Sequence, residues 1–225
     1  FVYRYEITNF EFREFANFLI KRGSKPDSVA MILPDTLGWV KLGVNYSEYT
    51  QYYFNKKEFE AFPVVNVSFE AAKQFCYFLT ETYNSDPKRK FRKATFDLPS
   101  YAEWRLFAGF GLKDFLGDDQ ADYFSWGSSS VYDKQGRLLA NIQIPKFYQT
   151  ISKQYILRPV NSFLMNAYNL FCIHGNVAEM LSSKGQCVGG SWRSLPEDFV
   201  NGKLAFYNKS GPDLGFRPVM KVILR

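Results

Sequence analysis

The sequence predicts an α+β fold, and three observations carry that reading. Helical periodicities crowd into the first half of the chain, short apolar runs punctuated by glycine fill the second, and no linker divides them. With 225 residues, 46% apolar and 19% aromatic, the chain is long enough to bury a core and too apolar to be disordered. A single domain over residues 1–225 is the economical reading, with no internal repeat.

The first helix announces itself at Thr8. Thr8 and Glu11 form a T-x-x-E capping box, Phe12, Phe15, Ala16 and Leu19 recur at helical spacing, and Gly23 follows Lys21-Arg22 as a stop. An irregular stretch broken by Pro26 and Pro34 comes next. "PVVNVS" then reads as a short strand, leading to Ser68 as the cap of a second helix over 69–83. Ala72, Phe75, Cys76 and Leu79 line its inner face. "FDLPSYAEWRLFAGFG" repeats the design, a strand followed by a Ser100–Glu103 capping box and a short helix ending at Gly109 or Gly111. Beyond it the glycines, among them Gly175, Gly189-Gly190 and Gly215, mark short strands and turns.

Several chemistries are excluded by count. The one histidine, His174, cannot build a three-His iron site, and it reads as a structural residue rather than a catalytic base. Three cysteines without CxxC spacing do not make a zinc site, and Cys76 reads as a buried free thiol. No phosphate loop or dinucleotide fingerprint occurs, and the Asp118-Asp119 pair reads as a polar turn. Asn45 matches a glycosylation triplet, a short pattern that arises by chance. The net charge is +6, and the densest basic run, "KRKFRK", reads as a solvated loop rather than a nucleic-acid surface. No apolar run approaches the roughly 20 residues of a membrane-crossing helix. The opening "FVYRYEITNFEF" lies already inside structure, as expected of a processed or truncated piece.

The order of eight motifs resembles the formylglycine-generating, or sulfatase-modifying-factor, domain family. They are "YEITNFEFREF", "FPVVNVSFEAAKQFCYFL", "LPSYAEWRLFAGFG", "FSWGSS", "LLANIQ", "RPVNSFLMNAYNLFCIHGNVAEM", "VGGSWRS" and "GPDLGFRPV", and together they span the chain. The resemblance implies that family's variant of the C-type-lectin-like fold: a few helices, small sheets and much irregular structure. In active members two cysteines after the "GGS-aromatic" motif bind copper. Those positions fall here at Ser194 and Phe199, a hydroxyl that cannot mimic a soft thiolate and a ring with no ligand atom. No copper and no catalysis are therefore expected, which makes the chain a pseudoenzyme by this resemblance.

Two calcium sites are also implied, both eroded. One would use Asn141 and the Ile142 carbonyl, with Ser152 where an acid is expected. The other would use the Gly175 and Val177 carbonyls and Glu179, with Cys172 in place of an asparagine. Glu179 is expected to pair with an arginine or backbone instead. The inserted "PDTLGW" and "YYF" segments and "DKQGRLLAN" are similar to those of the Bacteroidota gliding-motility and type IX secretion lipoproteins of the K and J types. That likeness implies a periplasmic, outer-membrane-associated protein that assembles with other proteins of an envelope complex, including as a homo-oligomeric ring. It implies membrane contact only through a lipid anchor not present in this sequence. Trp39, Tyr46, Tyr49, Tyr52 and Tyr53 are candidate interface anchors, with coverage of the core as the equal alternative. Two further readings stay open, an enzyme of altered chemistry using Arg193, Ser194 and Cys187, and a lectin-like ligand module that needs an open polar cleft.

Overall fold

Thr8 starts α1 (Asn9–Lys21) as its spacing predicts. Its Oγ1 accepts the Glu11 N–H at 3.1 Å, while Glu11 Oε2 accepts the Thr8 N–H at 2.9 Å. The computed structural model describes residues 1–43, 46–110, 124–143 and 156–223. Asn45, Gly111, Asp118, Asp119 and Ser152 lie outside the described residues. After α1 come α2 (Pro26–Ala30), α3 (Ser47–Tyr52), α4 (Phe69–Ser85) and α5 (Tyr101–Ala108). Ser68 caps α4, and Ser100 with Glu103 closes a second reciprocal box at α5, which Gly109 ends in the left-handed conformation at φ +93°.

The core sits between α1, α4 and the chain end. Phe12 stacks on Phe75 with ring centroids 5.7 Å apart, and Phe216 meets Phe75 edge-on at 5.6 Å. β1 (Ala94–Asp97) pairs antiparallel with β6 (Val219–Val222), and Val2 bridges to Val219 on the other side of β6. A second sheet, of four strands, runs in the order β4 (Ala205–Phe206), β3 (Gln186–Val188), β2 (Ala178–Met180), β5 (Leu214–Gly215). Only the β2–β5 pair in it is parallel. A few helices, small sheets and long irregular connections make this the α+β arrangement the sequence predicts.

Two expectations are corrected. "PVVNVS" is not a regular strand, because its backbone changes partner between Val64 and Asn66. Pro63 bridges to Thr8, Val64 N–H bonds to the Ile7 carbonyl, and Asn66, at φ +60°, sends its N–H to Gly211. Trp39 and Tyr53 are not surface anchors, being only 1% and 2% exposed. They pack with Phe59, Phe62 and Leu157, and Tyr53 can sit inside because its hydroxyl donates to the Pro63 carbonyl at 2.6 Å. Tyr49 stacks on Trp39 at 5.0 Å, and Tyr46 approaches the Trp192 ring. Of the five, Tyr52 alone is exposed, its ring beneath the Lys56 ammonium at 3.8 Å. For Trp39 and Tyr53, coverage of the core is what the structure shows.

Candidate functional site

The "GGSW" turn leaves β3 with two consecutive left-handed glycines, Gly189 at φ +86° and Gly190 at φ +69°. Space demands glycine as much as backbone shape does. A Cβ on Gly189 would lie 2.7 Å from the Ile173 carbonyl oxygen, and one on Gly190 only 2.4 Å from the Phe199 ring. Phe199 is fully buried and packs 5.2 Å from the His174 ring. Trp126, Phe124, Phe110 and Trp104 close around the same imidazole at 5.5, 5.6, 5.7 and 6.0 Å. The position at which the family resemblance expects a working thiol is thus a wall of an aromatic box.

Ser194, the other such position, turns its hydroxyl into the loop. Its Oγ accepts the Ser191 N–H at 3.0 Å and lies 3.3 Å from Ser191 Oγ. His174 is no base for it. Its Nε2 accepts the Ser125 N–H at 3.0 Å. Burial pushes the imidazole down to about 3, against a smaller opposite pull from the Gly189 backbone, so the ring is neutral at physiological pH. Cys187 and Cys172 are buried and unbridged. Burial pushes the first up to about 11 and the second well above the usual thiol range, so neither supplies a thiolate. These groups do not fit a copper site.

Behind the turn lies a buried polar cluster. Glu179 on β2 and Arg217 are both fully inaccessible. Arg217 Nη2 and Nε reach Glu179 Oε1 at 2.7 and 2.9 Å, while Trp104 Nε1 donates to Oε2 at 2.8 Å. The guanidinium also donates to the carbonyls of Tyr3 and Phe171 at 3.1 and 2.7 Å, tying both ends of the chain to the sheet. Glu6 stands beside it, Oε1 accepting from Asn176 Nδ2 at 3.1 Å and Oε2 without a partner among the described residues. Burial, opposed by Arg217, pushes Glu6 up to about 8.

This arrangement decides the fit of calcium at Gly175, Val177 and Glu179. Both carboxylate oxygens of Glu179 are engaged, its charge is neutralised by Arg217, and Cys172 offers a neutral thiol where a hard cation wants oxygen. The set does not fit the ion. At the other implied site Asn141 Nδ2 donates to the Ile156 carbonyl and to Asn176 Oδ1 at 2.9 and 3.2 Å. Its backbone carbonyl accepts from Asn176 N–H at 2.7 Å, and the Ile142 side chain is buried. Ser152, its remaining member, is outside the described residues.

Sequence reasoning finds Glu179 and anticipates an arginine partner, but misses Arg217, Glu6 and Asn176. The available signals are a lone charge in each of two apolar motifs, "GFRPV" and "YEIT", since a charge placed there must be paired if it is buried.

Comparison with known proteins places this geometry. No curated protein matches the chain. Among solved structures, CarF aligns over 99% of this chain and 86% of its own, with a TM-score of 0.60 and 20% identity. Treponema denticola variable protein 1 aligns over 83% of this chain and 81% of its own, with a TM-score of 0.52 and 20% identity. At such identities these likenesses establish the fold alone. The family description "Sulfatase-modifying factor enzyme 1-like domain" matches residues 1–222, nearly the whole length over which the motifs and both sheets extend. The chain belongs to the sulfatase-modifying factor enzyme 1-like domain family.

Proposed function

We propose that this chain is a non-catalytic member of its family, a structural and binding component of a Bacteroidota cell-envelope secretion or gliding complex. The observation that supports this most is Phe199, wholly buried against Gly190 and His174 at a position expected to hold a copper-binding thiol. Oxidation of a substrate cysteine through copper needs a pair of soft ligands, and Ser194 with Phe199 supplies none. The partners are other proteins of the envelope assembly, a ring of identical subunits included. The location is the periplasmic face of the outer membrane, and the motif likeness in the inserted segments is its support.

The test is copper content together with turnover of a cysteine-containing sulfatase peptide. Copper below stoichiometry after loading with Cu(I), and no aldehyde on the peptide, are the expected results. Stoichiometric copper or any aldehyde overturns the reading. The ligand-module alternative needs an open polar cleft at the turn, and the aromatic packing of Phe199 counts against it.

A further inference from the structure

The loop after α4 concentrates charge that the fold does not use. Lys88, Arg89, Lys90, Arg92 and Lys93 surround Phe91, and all but Arg89 are exposed. None of the five makes an ion pair among the described residues, whereas the nearby acids Glu81 and Glu103 are held by Arg22 and Lys221. Asp86 is the one acid in the loop, and its Oδ1 accepts the Lys88 N–H at 2.8 Å.

The loop is also built rather than loose. Arg89 Nη1 donates to the Asp86 carbonyl at 3.0 Å and its Nε to the Arg92 carbonyl at 2.9 Å, so one guanidinium ties both ends. Tyr83 Oη accepts the Phe91 N–H at 2.8 Å, and Ile223 N–H bonds to the Lys93 carbonyl at 3.0 Å. Four cations are therefore displayed on a shaped backbone whose ordering cost is already met by these bonds. Apolar groups share the surface. Phe1 is 70% exposed with its ring 5.2 Å from Phe91, and Ile223 is 39% exposed beside Lys93.

We infer that this loop, with Phe1 and Ile223, is a docking surface for an anionic lipid bilayer. Its chemistry separates that occupant from others. Cations attract lipid phosphates while neighbouring apolar side chains enter the headgroup boundary, and each adds to the same binding. Protein interfaces deplete lysine, and three of the four exposed cations are lysines. Nucleic acid would stack a base on Phe91, but Phe1 and the Lys90 ammonium, 5.4 Å from the ring centroid, already engage that ring. The inference does not depend on the chain being non-catalytic, and copper binding leaves it untouched.

Vesicle co-sedimentation of the full chain tests it. Phosphatidylcholine vesicles carrying about one-third phosphatidylglycerol should bind the protein, pure phosphatidylcholine should not, and added salt should weaken the binding. The variant K88Q/K90Q/R92Q/K93Q, which keeps Arg89 and the loop's bonds, should lose about fivefold per cation removed. K25Q/K41Q/K57Q/K209Q, with the same net charge on scattered exposed sites, should bind as the parent does. Equal loss in both variants reduces the effect to net charge and overturns the proposal. So do equal binding to neutral vesicles and preferential binding, per charge, to an oligonucleotide or polyglutamate. Should the loop variant melt early, Phe1→Ser decides: weaker binding to the anionic vesicles supports the surface, and unchanged binding refutes it.

Discussion

Phe216 and Arg217 are chain neighbours that enter opposite kinds of interior. Phe216 meets Phe12 and Phe75 in an aromatic cluster, where each contact is non-directional and a neighbour can adjust. Arg217 enters a cluster in which Glu179, Tyr3 and Phe171 must all be in place, because a buried charge without partners costs more than a lost contact. The difference teaches where the fold is tolerant and where it is not. Arg217→Met should therefore destabilise by about 3–5 kcal/mol, since it leaves Glu179 buried and unpaired. Phe12→Leu, its apolar counterpart, should cost about 1–2 kcal/mol. Denaturant unfolding measures both. Adding Glu179→Gln to Arg217→Met should recover most of the loss, and failure to recover it would break the comparison.

A second contrast sets Glu6 against His174, both wholly buried and shifted in opposite senses. Glu6 keeps its proton in the folded state up to about 8, while the unfolded chain releases it near 4.5. It stabilises below 4.5, and that contribution is lost as pH rises toward 8. His174 stays neutral down to about 3, while the unfolded imidazole gains its proton near 6.5. Its contribution is present above 6.5 and is lost as pH falls toward 3. Between pH 4.5 and 6.5 the two slopes oppose one another, which predicts a plateau. On the alkaline side stability should fall by about 2 kcal/mol between pH 6.5 and 8. Glu6→Gln should flatten that limb and turn the plateau into a rise with pH, whereas His174→Phe should soften the acid limb and turn the plateau into a fall. The acid limb keeps a shallow fall from Glu70, Glu103 and Asp133, whose carboxyls are held below their usual range by hydrogen bonds to partners near the surface. Melting temperature against pH for the three proteins reads this directly.

Legibility follows the same divide. The capping boxes and the inner face of α4 were readable because each depends on spacing of a few residues. The buried network was not. Arg217 and Glu179 are 38 residues apart, and Glu6 and Asn176 are 170 apart, so no local pattern joins them. The "PVVNVS" run fails for a related reason. Its apolar residues signal extended backbone, but the partners that would make it a strand change at Ile7 and Gly211. Trp39 shows a third limit, since aromatic composition does not say which rings face solvent.

The smallest effect belongs to the most legible feature. At α5 Ser100 Oγ accepts the Glu103 N–H at 3.2 Å and Glu103 Oε2 accepts the Ser100 N–H at 2.8 Å, as the T/S-x-x-E spacing requires. Glu103 is held in addition by Lys221 at 2.9 Å, across to β6. Ser100→Ala removes one acceptor at a partly exposed helix start, where water can replace it, so the loss should be about 1 kcal/mol. Arg217 sits where water cannot follow, and that contrast is what separates the two magnitudes. If Ser100→Ala matched Arg217→Met in a denaturant titration, burial would not be what ranks these interactions. A shift of only a few degrees in melting temperature for Ser100→Ala, beside one several times larger for Arg217→Met, is the expected outcome.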